Sequence, residues 1–125
     1  MKTILIIDDE KLFCESQARF FKKVGFNVLT AGDGNKGIAL IKENQVDLVI
    51  TDMLMPGKEG LEIILEVKKL VPGIAIIAVS GGGLASPRDY LNTAKKLGAK
   101  YVFEKPFDRD KILFAVNKAL KDIET

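Results

Sequence analysis

Histidine does not occur in this 125-residue chain. Its absence excludes a Ser-His-Asp or Cys-His catalytic site, and every His-ligated metal site, built from this chain alone. Any chemistry must rest on carboxylates, hydroxyls, lysine and backbone. There is one cysteine, Cys14, so no internal disulfide can form. It reads as a small core or boundary residue, and a cytoplasmic protein is the simplest expectation. Charge of one sign is also scarce. Lys and Arg number 19 against 17 Asp and Glu, and they are scattered rather than clustered. That balance gives no argument for a nucleic acid or a membrane surface as partner. No run approaches the roughly 20 apolar residues of a membrane span. Met1-Lys2 leads into only a short apolar run before Asp8, which is not a signal-peptide pattern.

What is present is an alternation of short apolar runs with amphipathic stretches. Strands are expected at Thr3 to Ile7, Asn27 to Ala31, Leu48 to Thr51, Ile74 to Val79 and Tyr101 to Phe103. Helices are expected at Lys11 to Val24, Lys36 to Glu43, Leu61 to Val71, from Pro87 to Leu97, and after Asp108. Their inward faces read as Phe13, Phe20, Phe21 and Val24 in the first, and Ile38 and Ile41 in the second. The third places Leu61, Ile64, Leu65 and Lys68 at helical spacing. The last places Ile112, Val116, Ala119, Leu120 and Ile123 inward. Gly25, Pro72-Gly73 and Gly98 stop helices, Ser86-Pro87 starts one, and Asp108 caps the last.

Five such strand–helix units predict an α/β domain, residues 1–125, with a doubly wound parallel sheet covered on both faces. Right-handed crossovers put every strand's carboxyl end on one rim, where ligands bind in open sheets. The rim residues are Asp8 and Asp9, then Asp52, then Ser80, then Lys105. Singly, each has a plain alternative. Asp8-Asp9 can be a helix cap with Glu10 favouring the helix dipole, Asp52 before Pro56-Gly57 can be turn chemistry, Ser80 a loop residue, and Lys105 a solvated one. Their conjunction on one rim favours chemistry. Carboxylates brought together need a proton or a cation. Oxygen-only ligands in a small set suit Mg²⁺ better than Ca²⁺. A cation, an ammonium and a hydroxyl around one carboxylate suit a phosphoryl group. A carboxylate nucleophile needs no general base. Lys105-Pro106 is a candidate cis peptide.

The chain resembles the receiver domain of bacterial two-component response regulators. The resemblance rests on Ile6-Ile7-Asp8-Asp9-Glu10, on Asp47 through Gly57 with Gly60, on Ala78-Val79-Ser80-Gly81, on Gly98-Ala99, and on Glu104-Lys105-Pro106-Phe107. It implies a flavodoxin-like five-stranded sheet in the order 2-1-3-4-5. It implies that Asp52 accepts a phosphoryl group from a histidine on a kinase or phosphotransferase, and that an effector reads the result. Asp9 and Asp52 would bind Mg²⁺ directly with the backbone carbonyl of Leu54, and Asp8 through a bound water. Ser80 would hydrogen-bond the phosphoryl group and Lys105 would pair with it. An aromatic residue common in the family three positions before the lysine is here Val102. Tyr101 and Phe103 alternate onto the other sheet face. Activation would then rely on Ser80 and the loop after it. That loop, Gly81-Gly82-Gly83-Leu84-Ala85-Ser86-Pro87, is longer than is common. It reads first as a tolerated insertion and second as a mobile switch. Leu54 and Gly82 cannot orient a hydrolytic water, so slow dephosphorylation is expected. Leu12 and Phe13 read as core, with a partner-facing role as the alternative. Three other classes compete. A Mg²⁺-dependent aspartyl phosphatase would want an acid at Leu54. A flavodoxin-like binding module would want a phosphate loop in place of Asp8-Asp9. A pseudo-receiver that only binds partners would not need the full acceptor set.

Overall fold

The computed structural model describes residues 1–53, 60–81 and 87–124, with the side chains of 87–91 and 122–124 left aside. Strands and helices alternate throughout: β1 (Thr3–Ile7), α1 (Lys11–Lys23), β2 (Asn27–Ala31), α2 (Gly34–Glu43), β3 (Leu48–Asp52), α3 (Gly60–Leu70), β4 (Ala75–Ser80), α4 (Pro87–Leu97), β5 (Tyr101–Glu104) and α5 (Arg109–Glu124). All pairings are parallel and the strand order is β2-β1-β3-β4-β5. This is the expected α/β doubly wound sheet. No helix among the described residues is long and apolar enough to cross a membrane.

Strand residues alternate between two apolar layers. Leu5, Ile7, Val49, Ile76 and Ala78 pack with α2, α3 and α4, and Val102 packs against that layer. Ile4, Ile6, Leu48, Ile50, Ile77 and Val79 pack with α1 and α5, and Tyr101 and Phe103 pack against that one. Burial on both faces is why the strands read as unbroken apolar runs.

Helix ends follow local chemistry. Gly25 and Gly98 close α1 and α4 with φ of 107° and 133°, which a side chain disfavours. The Asp108 carboxylate accepts from the Asp110 backbone N–H at 2.8 Å, as a start signal should. Pro87 opens α4 as expected, while Ser86 lies outside the described residues. α2 starts two residues before the expected Lys36, because the Asp33 carboxylate accepts from the Lys36 N–H at 2.8 Å. Gly34 and Asn35, poor helix formers, hid that start.

Two helix faces are corrected in part. In α1 Phe21 is buried and Phe20 packs partly buried beside it as expected, joined by Cys14, Gln17 and Ala18, but Val24 falls past the helix end, exposed. In α3 they are Ile63, Ile64 and Val67 with Gly60, while Leu65 is exposed. The Lys68 ammonium donates to the Ile74 carbonyl at 2.8 Å, and burial lowers its pKa, with Lys100 adding to the effect. The consecutive apolar residues Ile63, Ile64 and Leu65, with Leu61 and Val67 on either side, support either stripe, and only docking on the sheet chooses between them.

Candidate phosphoacceptor site

Sheet register builds the site as a staircase. Ile7 pairs with Thr51, so Asp8 and Asp52 are each the next residue along neighbouring strands. Asp52 pairs with Val79, and Ser80 comes one step further. Ser80 pairs with Glu104, and Lys105 follows that. Asp52 is the last residue of β3 rather than the first beyond it. The Met53 N–H donates to the Val79 carbonyl at 2.8 Å, so the ladder holds the backbone on both sides of the acid. The Lys105 N–H donates to the Ser80 carbonyl at 2.7 Å. The Lys105–Pro106 peptide is cis.

The side chains converge on the Lys105 ammonium. It donates to Asp8 Oδ2 at 2.9 Å, Glu10 Oε1 at 3.0 Å and Asp52 Oδ2 at 3.2 Å. Asp8 and Asp52 are each only 4% exposed, whereas the Glu10 side chain is 63% exposed. Burial works to lower the Lys105 pKa. The hydrogen bonds to Asp8 and Glu10 and the charges of Asp52 and Asp8 outweigh it and raise the group above the ordinary lysine value. Lys105 is therefore a fixed cation at neutral pH. Ser80 Oγ is buried and has no hydrogen-bond partner among the described residues. A buried hydroxyl costs free energy until something bonds to it, so this one is poised for a ligand.

Oxygens of Asp8, Glu10 and Asp52 lie within 4.8 Å of one another. Three carboxylates face one ammonium, and the donors are hard oxygens. That set fits a small divalent cation. Asp9 is exposed and stands outside this group, and Glu10 takes the third place. The cause is local: Asp8 Oδ1 accepts from the Glu10 N–H at 2.9 Å, and this turn brings residue 10 back over residue 8. Glu10 offers no side-chain cap to α1, so the helix-dipole role expected for it is not its main contact. The signal was its spacing of two from Asp8, which a reading of the acidic run as a cap passes over. Leu54 and Gly82, like Met55, Pro56 and Gly57, lie outside the described residues. Cys14 is buried beside this rim. Burial, and then the Asp8 and Glu15 charges, push its thiol up to about 11.

Comparison with known proteins agrees with this geometry. The response regulator receiver domain family matches residues 4–117. Sporulation initiation phosphotransferase F of Bacillus subtilis is 34% identical, with 94% of this chain and 92% of that protein covered. The DNA-binding transcriptional regulator NtrC of Azospirillum brasilense is 32% identical over 94% of this chain but 24% of its own length. The chain also spans 50% of the regulatory protein TcrX of Mycobacterium tuberculosis, so several relatives are much longer. A receiver domain protein from Clostridium thermocellum superposes with a TM-score of 0.92 at 33% identity, covering 99% of this chain and 98% of that one. The receiver domain of NtrX from Brucella abortus gives 0.87 at 29% identity, covering 94% and 98%. By its sequence, its strand order and its acidic rim, the chain belongs to the response regulator receiver domain family.

Proposed function

We propose that this receiver takes a phosphoryl group onto Asp52 from a phosphohistidine of a histidine kinase or histidine phosphotransferase. The observation that carries the reading is the Lys105 ammonium held 3.2 Å from the buried Asp52 carboxylate. The donor must be external, because the chain has no histidine. An Asp52 carboxylate oxygen attacks phosphorus, the phosphorus–nitrogen bond breaks, and the imidazole leaves with its electron pair and takes up a proton. Lys105 pairs with the charge gathering on the equatorial oxygens, and the Ser80 hydroxyl, without a partner among the described residues, donates to one of them. Asp8, Glu10 and Asp52, whose oxygens converge, would hold Mg²⁺, with Asp9 and the Leu54 carbonyl as further candidate ligands. The ion would supply charge neutralisation of the transferring group.

In this reading the whole chain, 1–125, acts as one receiver in the cytoplasm. It switches contacts with a downstream effector and touches neither nucleic acid nor membrane itself. Val102 offers no ring to swing inward, so Ser80 and the segment after it would carry the change. The test is intact mass after incubation with Mg²⁺ and acetyl phosphate. The wild-type chain should gain a single phosphoryl adduct and Asp52→Asn none. An adduct of equal yield in both would remove Asp52 from the role.

A further inference from the structure

The Lys105 ammonium has three N–H donors, and each is matched by one of the three carboxylates. A fourth group also touches it. The ring of Phe13, on the first turn of α1, lies 4.2 Å from Nζ, ring centroid to nitrogen. Phe13 is itself held edge-on by Phe107, with centroids 5.7 Å apart and planes at 85°. Phe107 in turn packs on Phe103 of β5, at 5.9 Å. The ring that meets the ammonium therefore stands on a braced aromatic row, not on a free side chain. The Lys105 side chain is 10% exposed although Glu10, one of its partners, is largely in water. Phe13 adds an apolar neighbour to an ammonium otherwise faced by carboxylates. An aromatic face attracts a cation electrostatically, and more so where water is excluded.

We infer that Phe13 is a positioning residue for phosphoryl transfer: its ring face holds the Lys105 ammonium over Asp52 rather than letting it follow Glu10 toward solvent. This rests on the acceptor role proposed for Asp52. A plain core role for Phe13 would need only its bulk. A positioning role needs the electron density of the ring face, and the two are separable.

The experiment replaces Phe13 with mono-, di- and trifluorophenylalanine by site-directed incorporation, and in parallel makes Phe13→Leu, Phe13→Tyr and Phe13→Trp. Phosphorylation by acetyl phosphate with Mg²⁺ is followed by mass, and folding by thermal melting. Fluorine keeps the shape of the ring while draining its face. The expected result is a stepwise fall in rate with fluorination, on the order of tenfold at trifluoro, with melting unchanged. Phe13→Leu should fall as far, and Phe13→Tyr and Phe13→Trp should retain the rate. Without any phosphodonor, the Lys105 side-chain protons should show a ring-current shift that Phe13→Leu abolishes. A flat fluorine series in a chain that does phosphorylate overturns the positioning role alone, as does an absent ring-current shift. A wild-type chain that takes no phosphoryl group overturns the acceptor reading itself, and this inference with it.

Discussion

Lys105 bonds three carboxylates, two of them buried, so its removal is not a surface change. Lys105→Met would leave Asp8 and Asp52 facing each other without a cation. Stranding buried charge in this way costs about 3 kcal/mol, read by denaturant unfolding in chelator. Mg²⁺ should restore part of that loss, since it replaces the missing positive charge. An unfolding midpoint equal to wild type in chelator would contradict the ion network. At Cys14 the pH dependence has a definite sign. The folded thiol, near 11, lies above its ordinary value of 9.0. The folded chain therefore holds the proton more tightly than the unfolded one. The contribution is fully present below pH 9 and is lost as pH rises toward 11. Native Cys14 should resist a thiol reagent at neutral pH and react at the free-thiol rate once unfolded; equal rates would contradict its burial. Asp8, Asp52, Ser80 and Lys105 were legible in sequence because each ends or follows a strand, and a parallel sheet brings such residues to one rim. Glu10 and Phe13 were not. Their contacts are with a lysine more than ninety positions away; the spacing of two from Asp8 hints at the turn that carries Glu10, but no local pattern reports the lysine.

The elements that hold these residues were legible to within a residue or two, because burial on both sheet faces leaves apolar runs that turns and glycines bound. What failed was the choice of face in a helix whose apolar residues Leu61, Ile63, Ile64, Leu65 and Val67 crowd together in sequence, as Leu65 shows. The close approach of α3 to β3 was equally hidden. A Cβ on Gly60 would come within 2.6 Å of Met53 Cα and 2.8 Å of its carbonyl oxygen. Both are backbone atoms, so nothing flexible can give way. Gly60→Ala should push α3 off the end of β3, next to Asp52, and destabilise the fold by about 2 kcal/mol. Gly73 has nothing within 4 Å of such a Cβ, and Gly73→Ala serves as the control with little effect. Melting curves for the two variants check this, and equal midpoints would contradict the close packing of α3 on β3.

Across the whole molecule, the two apolar layers bury β1, β3 and β4 almost completely, and the sheet delivers its charge at one end. That separation couples ion binding to folding. Mg²⁺ that binds only the folded rim should raise stability with concentration, by about 2.7 kcal/mol at a hundredfold excess over its dissociation constant. Asp8→Ala should flatten that dependence, and a slope unchanged from wild type would move the ion elsewhere. Phosphorylation of Asp52 is the step on which the proposed function rests. Its most direct test is reductive trapping: the chain is phosphorylated with acetyl phosphate and Mg²⁺, treated with borohydride, digested and sequenced by mass spectrometry. An acyl phosphate at Asp52 is reduced to homoserine, so homoserine is expected at position 52 and at no other aspartate. Homoserine at Asp8 or Asp9, or at no position in a chain that carries the phosphoryl mass, would contradict it.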